Sequence, residues 1–216
     1  MGEILKFPAG TAKPGYQRVR RRCGDAGDPN QLDLFLPSVA RIDSSDTPVL
    51  GTFEEALAAD ERGDSRAAEL YGIAIENQEC VADAYCNLGI LETRKGRAAK
   101  AANCFTTALS HNPRHTEAHY NLGSLYLEAN EYRLAQLHFA IAAEVDPDFA
   151  NAFFNLGLVQ SINRDIPAAI ASLTRYQSLV SVDEAHLADD LLQRLRQSQA
   201  TTDRHGAPTR GHESGG

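Results

Sequence analysis

Tryptophan is absent from this chain, methionine occurs once, and aromatic residues make up 7% of its 216 residues. A core built from such a composition rests on alanine and aliphatic packing, with Phe and Tyr at chosen places. No run approaches the roughly 18 apolar residues of a membrane-spanning helix. The opening MGEILKFP lacks the apolar stretch of a secretory signal, and Lys6 stands where a myristoylation site needs Ser or Thr. The four cysteines, Cys23, Cys80, Cys86 and Cys104, contain no CxxC spacing. There is no glycine-rich phosphate loop and no nucleophile elbow, so the sequence offers no visible seat for catalysis. An excess of positive charge is missing too. A net charge of −8 and a pI near 5.3 argue against a general nucleic-acid or membrane-surface binder, because phosphate attraction needs a positive face. These absences lead to the expectation of a cytoplasmic, non-enzymatic protein without cofactor or bound metal.

What the chain does have is a period. Asn-Leu-Gly occurs at Asn87-Leu88-Gly89, Asn121-Leu122-Gly123 and Asn155-Leu156-Gly157, in steps of 34 residues. Ala101, Ala135 and Ala169 keep the same step, followed by Phe105, Phe139 and Leu173, then Ala108, Ala142 and Tyr176. Pro113 and Pro147 close two of the units. A strict period of this length reads as stacked helical hairpins, none able to bury its apolar face alone. Gly89 and Ala101 are small where two helices approach, Phe105 fills the space between them, and the prolines end one helix ahead of the next.

The pattern resembles the tetratricopeptide repeat family, through Tyr85, Leu88, Gly89, Ala101, Phe105, Ala108 and Pro113 in residues 82–115. Residues 116–149 add Tyr126 and Tyr132, with His119 where an aromatic is usual, and residues 150–183 keep Phe153, Leu156, Gly157 and Ala169 but carry Ser181 in place of the closing proline. One period earlier, residues 48–81 keep Ala67, Tyr71 and Ala74 without the Leu-Gly, which gives a degenerate first unit. The resemblance implies an all-α, right-handed solenoid of antiparallel helix hairpins. Leu187, Leu191, Leu192 and Leu195 lie at helical spacing and predict a capping helix over residues 184–199. Residues 200–216 have no apolar periodicity and are expected to be a disordered tail.

Residues 1–47 differ in character. Pro8, Pro14, Pro29 and Pro37 interrupt them, and six basic residues against Glu3 give residues 1–22 a charge of +5, whereas residues 48–200 sum to −9. They are expected to be a disordered basic arm on an acidic body. Within the arm, Gln31-Leu32-Asp33-Leu34-Phe35 resembles the pentapeptide by which bacterial polymerases and repair proteins dock on the DNA sliding clamp. That resemblance implies a bacterial DNA-maintenance accessory protein, with Gln31 as a hydrogen-bonding anchor and Leu34 and Phe35 in an apolar pocket. Alternatively, Leu32, Leu34, Phe35 and Leu36 cover the open apolar edge of the first hairpin.

Three histidines, His111, His115 and His119, fall four apart, but HTEAH is not the H-E-x-x-H of a zinc protease, and Pro113 separates His111 from the other two. Packing or surface roles are expected for them, as for Cys86 and Cys104, which read as small apolar residues of the helical core. The family resemblance implies that the first helix of each hairpin lines a groove into which Asn87, Asn121 and Asn155 point. An amide has both a donor and an acceptor for the backbone of an extended peptide. Asp83, Glu117, Tyr120 and Phe154 share that face, making it acidic at one edge and aromatic within, with the two rings either contacting the ligand or packing between hairpins. The Lys and Arg that clamp a carboxylate terminus in some family members are absent there. The expected role is thus a protein-protein interaction scaffold for a basic or apolar segment, with nucleic acid reached through the arm if at all. A third reading places the basic arm in the chain's own acidic groove.

Overall fold

The computed structural model describes residues 15–20 and 51–206, and every regular element among them is an α-helix. In chain order these are α1 Thr52–Glu61, α2 Ala67–Glu76, α3 Val81–Arg94, α4 Ala98–His111, α5 Thr116–Glu128, α6 Tyr132–Val145, α7 Ala150–Ile162, α8 Ile166–Leu179 and α9 Val182–Gly206. The first eight pair as four hairpins.

Each hairpin turn is built the same way. After α3, Gly96 N–H donates to the Thr93 carbonyl at 2.8 Å and Arg97 N–H to the Glu92 carbonyl at 2.9 Å. This is the pair of bonds that satisfies the last carbonyls of a helix when the next residue turns left-handed. Gly63, Asn130 and Arg164 repeat the arrangement after α1, α5 and α7, all at positive φ. Between hairpins the prolines act on the residue ahead of them: Asn112 and Asp146, which cap α4 and α6, are extended at φ −136° and −127°. Where no proline follows, α8 ends at Val180, and its start is set by Asp165, whose carboxylate accepts from Ala168 N–H at 3.3 Å.

The described residues divide into two compact units, one within 17–121 and the other within 122–206 together with residues 15 and 16. In the first, Phe53, Ala56, Tyr71, Ala74 and Ala84 form a buried cluster, with the Phe53 and Tyr71 rings 5.9 Å apart. Gly89 lies against the ring of Phe105, so closely that a methyl group on it would sit 2.6 Å from the ring. In the second unit, Phe154, Ala169, Leu173, Tyr176, Ala188, Leu192 and Leu195 share a core. Gly123 faces Phe139 and Gly157 faces Leu173 in the same way as Gly89 faces Phe105.

Two expectations need correction. The capping helix is longer than residues 184–199: α9 runs for 25 residues to Gly206, through the start of the expected tail. A helix already anchored by Ala188, Leu192 and Leu195 extends by adding backbone bonds to an existing nucleus, without needing further apolar contacts. The arm is not without structure throughout either, because residues 15–20 have a defined extended path. The Gln31–Phe35 motif and residues 207–216 lie outside the described residues.

Candidate functional site

In the Gln17–Asn121 unit, the first helices of three successive hairpins, α1, α3 and α5, each contribute one polar side chain to residues 17–19. Val19 N–H donates to Asn87 Oδ1 at 2.9 Å, and Asn87 Nδ2 donates to the Val19 carbonyl at 3.1 Å. One repeat later, Gln17 N–H donates to Asn121 Oδ1 at 2.6 Å and Asn121 Nδ2 to the Gln17 carbonyl at 2.9 Å. Each amide therefore meets both backbone groups of a single residue, as the edge of a β-strand would. The spacing suits this. Alternate residues of an extended chain repeat every ~6.6 Å on one edge, near enough to the roughly 8–10 Å between packed helices for side chains to bridge the difference. The segment runs against the order of the repeats, with Val19 at α3 and Gln17 at α5. Both asparagines are fully buried beneath it, and Val19 has no exposed surface.

Between the two clamped residues, Arg18 points to α1. Its Nε approaches Asp60 Oδ2 to 2.7 Å, off the line of a hydrogen bond, with side-chain exposures of 12% and 1%. The other oxygen of Asp60 accepts from Arg94 of α3 at 2.8 Å. Arg20 reaches Glu61 at 3.5 Å, but both side chains are largely in water, where such a pair contributes little. Burial, and then the Asp60 charge, push the Tyr71 hydroxyl well above the usual phenol range, so it remains protonated in this setting.

Asp83 and Glu117 face a different partner. His115, 2% exposed, lies 2.9 Å from Asp83 and 3.3 Å from Glu117. Burial alone would lower its pKa, but the two carboxylates outweigh it and raise it to about 9. His119 is shifted the other way, downward, chiefly by burial, while its Nε2 lies 3.0 Å from the Pro113 carbonyl. The two histidines thus have separate partners, and among the described residues no group of three or more His, Cys, Asp or Glu is placed to hold a metal ion. Tyr120 is fully buried. Phe154, 3% exposed, packs edge-on against Tyr176 at 5.0 Å in the second unit, where Asn155 is also buried. Both rings are buried. Cys86 is a buried thiol and Cys104 a half-buried one, whereas Cys80, just ahead of α3, is disulfide-bonded.

Asp60 and Arg94 escape a reading of the sequence that follows the Leu-Gly landmarks alone. They are nevertheless 34 residues apart, and Arg94 stands seven residues after Asn87. Two helical turns bring such residues back to the same face. Extending the period to polar positions would have found both.

These hairpins, three of them with a glycine packed under Phe105, Phe139 or Leu173, define a helical-hairpin repeat architecture. The tetratricopeptide repeat family model matches residues 93–156. Solved structures share the fold. The first tetratricopeptide domain of Spaghetti (RPAP3), bound to the HSP90 peptide SRMEEVD, aligns with a TM-score of 0.51 at 18% identity over 55% of this chain and 93% of that one. YrrB, described as having an unusual peptide-binding site, gives 0.52 at 20% identity over 59% of this chain and 66% of its own. A MamA double mutant gives 0.51 at 18% identity over 70% and 94%. No curated protein matches the chain in sequence. Among the described residues no helix is long and apolar enough to cross a membrane.

Proposed function

We propose that this chain is a non-catalytic interaction scaffold that holds an extended segment of a partner protein by its backbone, with Asn87 and Asn121 as the clamps. One observation carries the reading: four hydrogen bonds between two buried amides and the backbone of Gln17 and Val19, two donated by each side. Those two side chains are fully enclosed, and an enclosed amide without partners is costly, so the face is built to be covered by an extended chain. Residues 17–19 fill it as an in-chain ligand, and a partner segment gains access by displacing them. The apparent affinity for a partner is then the intrinsic affinity reduced by the fraction of molecules whose face is open.

The test uses the full chain with Val19→Asp, which places a charge in a site without room for water and so releases the segment. A fluorescent peptide with the sequence of residues 15–20 should bind this variant more tightly than the unmodified chain. Adding Asn87→Ala and Asn121→Ala should weaken that binding by about tenfold per amide removed. Equal binding with and without the two asparagines would overturn the proposal.

A further inference from the structure

The backbone clamps are indifferent to side chains, so any selectivity must come from what lies beside them. Resting on the clamp reading, we infer that Asp60 selects arginine in the bound segment, and that the partner presents an extended stretch whose arginine is followed by a small β-branched residue.

Asp60 is 4% exposed, and Arg94 satisfies only one of its oxygens. The other, Oδ2, is buried without a hydrogen bond, and what answers its charge is the guanidinium of Arg18 at 2.7 Å. Arg94 bonds to Oδ1 alone, and its own side chain is 52% exposed. The face therefore contains a buried carboxylate with one oxygen bonded to Arg94 and the other turned to a cation carried by the segment that covers it. Arg18 is the residue that alternation in an extended chain turns away from the clamped edge of Gln17 and Val19. Guanidinium suits the place better than ammonium, because it is planar, less strongly hydrated and always charged. Val19 sets the second element of the pattern. It is enclosed completely, and a larger side chain would have to move its neighbours, while a charged one would be stranded. Arg20, 72% exposed on its Glu61 partner, imposes no choice.

This pattern is opposite in charge to an acidic ligand such as the SRMEEVD peptide of the Spaghetti structure, and it makes residues 17–20 a competitor of the same chemistry as the partner.

The experiment keeps the receptor constant and changes the ligand. Full chain carrying Val19→Asp is titrated with the peptide of residues 15–20, with the same peptide bearing citrulline or lysine at the position of Arg18, and with SRMEEVD. Citrulline keeps the shape and removes the charge. The arginine peptide should bind at least about tenfold more tightly than citrulline, and lysine should fall between, as expected for a buried charge-assisted contact. SRMEEVD should not compete. In the same chain with Asp60→Asn added, arginine and citrulline should bind alike. Because the ligand series needs no change at Asp60, the inference does not depend on whether that variant folds. Equal binding of arginine and citrulline to the Asp60 receptor would overturn the selectivity and leave the clamp reading intact. A preference for arginine that survives Asp60→Asn would overturn the role of Asp60. Failure of every peptide to bind the released face would instead bring down the clamp reading itself.

Discussion

Single residues here act through charge states that burial and neighbours set against each other. His115 is the sharpest case. Its folded pKa of about 9 lies above the ordinary value of 6.5 because Asp83 and Glu117 outweigh its burial. A raised pKa means that the folded state holds the proton more tightly than the unfolded one. The stabilisation is complete below 6.5 and disappears as pH climbs through about 9. From the size of that shift, folding should weaken by on the order of 3 kcal/mol between about pH 6 and pH 10. His119, shifted downward, works in the opposite sense: its contribution is present above the ordinary value and is lost on acidification. Urea denaturation across this range should show the alkaline loss in the native chain and a much flatter profile in His115→Gln. An equally steep alkaline loss in that variant would show that His115 is not its source. The pair is half legible in sequence. The four-residue spacing sets the rings one turn apart, His115 just ahead of α5 and His119 within it, but the Asp83 that binds His115 arrives from the preceding repeat, 32 residues away.

Helices and their turns show where the 34-residue period constrains the chain and where it does not. Gly89 is required by contact, since a methyl group there would press on the Phe105 ring from 2.6 Å. Gly72, in α2, has nothing within 4 Å of where its Cβ would be. The same substitution should thus have opposite signs. Gly89→Ala should destabilise by about 1–3 kcal/mol through overpacking, and Gly72→Ala should stabilise by up to about 1 kcal/mol through helix propensity. Thermal melts of the two variants would separate these effects, and stabilisation by both would refute the packing account of the repeat glycine. At the turns, Gly96, Asn130 and Arg164 are one period apart and share a positive φ near 60–70°. Arg164→Gly should then gain about 1 kcal/mol by relieving a left-handed backbone that carries a Cβ. The apolar landmarks made the hairpins readable, because Leu-Gly, Ala and Phe recur in register. This turn position was hidden because its side chain changes from repeat to repeat and only its backbone conformation is kept.

At the level of the whole chain, the feature that sequence could not supply is the path of residues 17–19. An extended stretch has no periodicity of its own, and its contacts reach 68 residues away to Asn87 and 104 to Asn121. Charge did point in the right direction, since the basic arm and acidic body are plain from the sequence, yet charge is a small part of how the segment is held. The Arg18 and Asp60 side chains are 12% and 1% exposed, which shields their attraction from salt, and the four backbone bonds carry no net charge. The exposed Arg20–Glu61 pair is the one that ions screen. Salt should therefore be a poor releasing agent, and displacement by a like segment a good one. Amide hydrogen exchange followed by NMR can decide this. The Gln17 and Val19 amides, which donate to asparagine, should exchange more slowly than those of Arg18 and Arg20, and raising salt from about 0.1 to about 1 M should leave this alternation in place. Asn87→Ala should speed exchange at Val19 by about tenfold, the cost of one buried bond. Excess peptide with the sequence of residues 15–20 should speed exchange at both protected amides of the native chain. If salt alone abolishes the protection, the segment is held by long-range charge. If the peptide leaves it unchanged, the in-chain segment and an incoming one do not compete for the same face.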